Sequence, residues 1–171
     1  MAVLPIRIYP DKVLREKSRA VEAITPEIQT LVDDMAETMY AAPGVGLAAN
    51  QVGVALRLFV IDIAGDDDPS DLQIFINPSI VRKDGEVLWK EGCLSFPGVS
   101  ENVERAEKVV VQATGRDGLP FTLEADGLLA VAIQHEYEHL EGALMIDHLG
   151  PVRKRLVQRK LQKRSTMDAD G

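Results

Sequence analysis

Apolar side chains recur at helical spacing over residues 28–39, where Ile28, Leu31, Val32, Met35, Ala36 and Met39 mark one face. Thr25 and Pro26 precede them as a capping residue and a first helical position, so the pattern predicts a core-facing helix ending near Ala42. Between residues 57 and 125 the pattern changes to short β-rich runs: RLFVIDI, QIFINPSIV, EVLWKEG, KVVVQATG and LPFTLEA. The last two are joined through Arg116-Asp117-Gly118, and the set predicts antiparallel hairpins. Asp126 then stands as the cap of a second helix. Its stretch LLAVAIQHEYEHLE is apolar on nearly every face up to Ile133, which predicts a central, buried helix stopping at Gly142. Residues 152–163 predict a third helix, strongly basic. The class is α+β, with antiparallel sheets packed around the central helix and further helices at the N- and C-terminal ends.

Charge divides the chain in a way that the apolar pattern does not. Residues 1–150 carry 12 Lys and Arg against 25 Asp and Glu, whereas 151–166 carry seven basic residues and no acidic one. We expect one domain over 1–150 with a basic helix and disordered tail, 151–171, appended to it. The acidic turn GDDDPSD at 65–71 is expected to be a solvated loop. A net charge of −8 argues against DNA as a partner, because coating a duplex requires neutralising its phosphates. The single cysteine, Cys93, has no intramolecular partner for a disulfide, and the opening MAVLPIRIYPDK lacks the layout of a signal peptide. No apolar run reaches the roughly 20 residues of a membrane span. The expectation is a reducing, cytoplasmic compartment and no membrane partner.

The candidate chemistry lies on the central helix. His135, Glu136 and His139 form H-E-x-x-H, in which the two imidazoles, four positions apart, project from one helix face and can share a metal ion. A catalytic metal usually takes three protein ligands and keeps a position for water. Downstream, Glu141, Asp147 and His148 are available, but none has the spacing of the familiar metalloprotease versions. Upstream, Cys93 in E-G-C-L-S is the stronger candidate, because a thiolate is the best metal ligand in the chain. A third segment, Pro43 to Gln51, has Gly44 and Gly46 for close backbone approach and the Gln51 amide as a donor to a developing oxyanion.

Together GVGLAANQ at 44–51, EGCLS at 91–95 and QHEYEHLEG at 134–142 resemble, in order and spacing, the three signature motifs of the peptide deformylase family. The opening IRIYPDKVLREKSRAV is similar to that family's start, so the resemblance covers about residues 3–150. One position departs: Glu138 stands where the family more often has Asp, and is expected to orient a neighbouring histidine or to meet a basic partner.

The resemblance implies hydrolytic removal of the N-formyl group from the initiator methionine of nascent bacterial or organellar polypeptides, releasing formate. It implies one divalent metal ion held by Cys93, His135 and His139, with Fe²⁺ usual in the cell and Zn²⁺, Ni²⁺ or Co²⁺ also accepted. Glu136 would be the general base, and the Gln51 side chain and the Leu94 backbone N–H the oxyanion donors. Val45, Leu128, Val131 and Ala132 are expected around the methionine side chain. Glu91 is expected either at the substrate's end or as a charge anchoring the cysteine loop, and Gly44 and Gly46 where the substrate pairs as an added strand. The tail residues Arg153, Lys154, Arg155, Arg159, Lys160, Lys163 and Arg164 are expected to bind the ribosome near the polypeptide exit. Val152, Leu156 and Leu161 are expected to tether that helix to the body.

Overall fold

The structure, a computed structural model, describes residues 2–65 and 68–170, with side chains described as far as Gln162. Helix α1 spans Pro26–Ala41, and the Thr25 side chain accepts the Ile28 N–H at 3.3 Å, as a capping residue should. Its inner face buries Val32, Met35, Ala36 and Met39 against strands β1 (Gly46–Ala48) and β2 (Leu58–Ile61). Strand β3 (Gln73–Asp84) follows, then β4 (Val87–Gly92), β5 (Ser100–Arg105), β6 (Lys108–Thr114) and β7 (Pro120–Asp126). Five strands form one antiparallel sheet in the order β1-β2-β3-β6-β7, and β4 and β5 pair alone in a second sheet. β1 ends the first sheet and β4 has one partner, so each presents a free edge.

Helix α2, Gly127–Leu140, packs on the five-stranded sheet, burying Ala130, Ala132, Ile133 and Leu140 with Phe59, Phe75 and Val111. Asp126 has the extended backbone of a capping residue, but its side chain makes no capping bond. Past the helix, Gly142 adopts φ +76°, and a Cβ there would lie 2.5 Å from the Arg15 carbonyl oxygen. Gly142→Ala is therefore expected to cost about 1–2 kcal/mol through the left-handed backbone alone. That corresponds to a Tm lower by about 2–8 °C for a chain of this size; an unchanged Tm would remove the requirement for glycine.

Two strands go beyond the predicted set, and each has a physical reason. β1 is three residues of Gly, Leu and Ala, a composition with no strand preference of its own. β5 turns Val103 and Arg105 inward, so a charged residue occupies a core-facing position and the alternation is hidden. Helix α3, Pro151–Asp170, runs past the expected end at Lys163, where a disordered tail was foreseen. No Gly or Pro interrupts residues 152–170. Its anchors are Val157 and Leu161, 3% and 1% exposed, packed with Leu14, Phe96 and Val103. Val152 and Leu156, expected as tethers beside Leu161, are 74% and 50% exposed. Asp66 and Asp67 of the acidic turn, and the Lys163 and Arg164 side chains, lie outside the described residues.

Candidate active site

Strand β4 ends at Gly92 and delivers Cys93 to the wall of a cavity of about 840 Å³, which His135 of α2 also lines, with His139 one turn further along the helix and buried behind it. The two Nε2 atoms lie 3.3 Å apart, and Cys93 Sγ is 3.4 Å from His139 Nε2. All three donor atoms fall within 4.8 Å of one another, the one such trio of Cys, His, Asp or Glu among the described residues. Donors at the corners of a tetrahedron around a zinc-sized ion would sit about 3.3 Å apart for two nitrogens and about 3.6 Å for nitrogen and sulfur. The spacings and the soft N/S donor set therefore fit a divalent transition metal.

The supporting bonds fix the donors' directions. His135 Nδ1 is 2.8 Å from Glu91 Oε1, which leaves Nε2 for the ion. Glu91 takes two further bonds from Arg105, Nε to Oε2 at 2.7 Å and Nη2 to Oε1 at 2.8 Å. Burial alone would raise the Glu91 pKa, but the Arg105 and His135 hydrogen bonds hold it at about 2. Glu91 borders the cavity, is 5% exposed and has both oxygens occupied by Arg105 and His135. Burial keeps the His139 imidazole neutral, as a ligand must be; its Nδ1 has no partner among the described residues.

Glu136 lies beside the trio with Oε1 4.0 Å from His139 Nε2, and burial pushes its carboxyl up to about 7. Gly46 makes this possible: a Cβ there would meet Glu136 Oε2 at 2.8 Å. A Cβ at Gly44 would meet Leu94 Cδ1 at 2.9 Å, so both glycines admit a side chain of the site itself. Gln51 follows β1 in the single-turn helix Ala49–Val52. Its Oε1 accepts the Ala48 N–H at 2.9 Å, which aims its amide nitrogen at Ser95 Oγ, 3.1 Å away, and Cys93 Sγ, 3.6 Å away. The Leu94 N–H makes no backbone hydrogen bond among the described residues. Val45, Leu94, Leu128, Val131 and Ala132 border the cavity with Gly44, Gly46 and Gln51, joined by Ile6, Ile8, Trp89 and Phe96.

Sequence reasoning missed Arg105, which is the most deeply buried arginine among the described residues and makes three bonds to acidic side chains. It lies 14 residues from Glu91 in sequence, and the β4–β5 ladder sets it opposite Val87 while Glu91 stands opposite Glu101, so no local pattern announces the pair. Glu138 meets it too: Arg105 Nη1 donates to Glu138 Oε1 at 2.5 Å, and His148 Nε2 lies 2.6 Å from the same oxygen. Glu138 therefore meets both a basic partner, Arg105, and a neighbouring histidine, His148. Asn50, likewise unforeseen, donates to the His139 carbonyl at 2.6 Å and so ties the Gln51 turn to the end of α2.

The polypeptide deformylase family model matches residues 3–155. A peptide deformylase of Syntrophobacter fumaroxidans is 51% identical over 164 residues, 96% of either chain. One from Chromobacterium violaceum is 49% identical over 96% of this chain and 97% of its own. Among solved structures, a peptide deformylase from Legionella pneumophila superposes with a TM-score of 0.92 at 46% identity, covering 99% of both chains. The Ehrlichia chaffeensis enzyme in complex with actinonin superposes equally well at 37% identity over 96% of this chain and 98% of its own. With a matching family model along nearly its whole length, relatives near half identity and the same fold, the chain belongs to the peptide deformylase family, metal-dependent hydrolases of nascent formylated peptides.

Proposed function

We propose that the formyl group of an N-terminal formylmethionine is hydrolysed to formate where Cys93, His135 and His139 converge, with those three residues holding one divalent ion. The observation that carries this reading is the placement of a buried Glu136 carboxyl 4.0 Å from His139 Nε2, beside a trio of metal-competent donors of which Cys93 and His135 line the cavity together with Glu136. When bound, the ion supplies Lewis acidity. Glu136 accepts a proton from the attacking water and passes it to the departing amine. Gln51 Nε2 and the Leu94 N–H face the oxygen that gains charge. Val45, Leu128, Val131 and Ala132 surround the methionine side chain, and the free edges of β1 and β4 receive the peptide backbone as an added strand. The test is formate release from formyl-Met-Ala-Ser, expected to stop with a chelator and to return on adding Fe²⁺, Co²⁺, Ni²⁺ or Zn²⁺. Turnover unaffected by the chelator would overturn the metal's role.

Fe²⁺ is the ion we assign in the cell on the family resemblance, the Cys-His-His set itself suiting iron and zinc alike. Metal analysis of anaerobically prepared protein checks it. Cys93→Ser is expected to lose most of its metal, because a hydroxyl is a far poorer ligand than a thiolate. Full occupancy in that variant would remove Cys93 from the ligand set.

The same reading places the chain in the bacterial cytoplasm and gives α3 a partner, ribosomal RNA and protein near the polypeptide exit. Arg153 spends its charge on Glu101, Lys154 on Asp147, and Lys160 donates to the Gly98 carbonyl, so these three hold the helix to the body. Val152, Arg155, Leu156 and Arg159 share the exposed face. Truncation after Gly150 would also strip Val157 and Leu161 from the core, so charge reversal is the cleaner test. Arg155→Glu with Arg159→Glu is expected to abolish cosedimentation with ribosomes at low salt while leaving formyl-tripeptide turnover intact. Unchanged, salt-indifferent cosedimentation would exclude α3 from this role.

A further inference from the structure

Glu138 is neither a donor in the metal-competent trio nor a wall of the cavity, yet it is held from two sides. Arg105 Nη1 and His148 Nε2 both meet its Oε1, at 2.5 and 2.6 Å, and the side chain is 22% exposed. The other donors of Arg105 go to Glu91, which in turn takes His135 Nδ1 at 2.8 Å. A continuous chain of contacts therefore runs from His148 near the surface through Glu138, Arg105 and Glu91 to His135. One guanidinium charge is divided between two carboxylates. We propose that Glu138 is a positioning residue for the metal centre: by drawing on Arg105 it keeps Glu91 a strong acceptor for the His135 Nδ1–H, and so sets how tightly His135 holds an ion.

The argument rests on the metal assignment made above and adds a physical step to it. A carboxylate facing an unshared guanidinium is a weaker acceptor than one facing a shared guanidinium. An imidazole whose Nδ1–H meets the stronger acceptor is the better donor at Nε2. Removing the Glu138 charge while keeping its shape returns the whole of Arg105's charge to Glu91 and weakens His135 as a ligand. His148 contributes by keeping the Glu138 carboxylate on Arg105 and out of the solvent to which it is partly open.

The test is the Zn²⁺ dissociation constant, measured by competition with a chelator of known affinity, for the unmodified chain, Glu138→Gln and Glu138→Asp. Tm of each metal-free protein is recorded alongside. Glu138→Gln is expected to bind Zn²⁺ about tenfold more weakly, the lower end of what losing a ligand's direct hydrogen-bond partner costs. Glu138→Asp, which keeps the charge, is expected to restore the affinity. A lower metal-free Tm in Glu138→Gln with Zn²⁺ affinity unchanged would reduce Glu138 to a structural residue and overturn the proposal. So would an equal loss of affinity in both variants. An unmodified chain that binds no stoichiometric Zn²⁺ would overturn the metal assignment itself, and this inference with it.

Discussion

Glu136→Ala is expected to keep its metal and to lose formate release by on the order of 10²–10⁴-fold, the range that a positioned general base contributes. The carboxyl is not one of the converging donors, so its removal leaves Cys93, His135 and His139 in place. It is 2% exposed, and burial holds its proton affinity close to neutrality, where a group both takes and returns a proton readily. Glu136→Gln keeps the size and removes the exchange of protons, so a loss of the same order is expected there. Metal content and single-turnover formate release together decide the matter: normal metal with normal turnover would sink the general-base role, and absent metal would make Glu136 a support of the centre.

The second large effect is on stability. Arg105→Leu removes the guanidinium shared by Glu91 and Glu138, leaving the 5% exposed Glu91 carboxylate without its two Arg105 hydrogen bonds. Breaking a buried pair from one side costs about 3–5 kcal/mol, because the remaining charge keeps its desolvation penalty and loses its compensation. In a chain of this length that is a drop in Tm of about 6–20 °C. The double variant Glu91→Leu with Arg105→Leu removes both charges and is expected to be more stable than Arg105→Leu alone. A single variant within about 1 kcal/mol of the unmodified chain, measured by urea unfolding of the metal-free proteins, would show that the pair does not carry this weight.

What the sequence disclosed and what it hid separate along one physical line. Thr25, Pro26 and the apolar face of α1 act within a few residues, as do Gly142 and the four-residue step from His135 to His139, and all of these were legible. Arg105 was not. Its meaning depends on Glu91 and Glu138, 14 and 33 residues away along the chain, and its own charge disguised the strand that carries it. The anchors of α3 show the same limit: Val152 with Leu156 and Val157 with Leu161 are both four-residue steps, and nothing local says which pair meets the body. Contact with Leu14, Phe96 and Val103 decides for Val157 and Leu161. Gly44 and Gly46 were legible as places of close approach, but not that Leu94 and Glu136 approach them.

Cys93 follows the two-stranded sheet and the histidines ride on a helix packed against the five-stranded one, 46 residues further along the chain from Cys93 to His139. An ion shared by them is therefore a reversible staple across the seam between two sheets that make no ladder with each other. Unlike a disulfide its strength follows mass action: at a free-metal concentration 100-fold above Kd it adds about 2.7 kcal/mol to the folded state, and at metal starvation it adds nothing. With an ion held there, the resistance of this fold to unfolding would follow the metal supply around it.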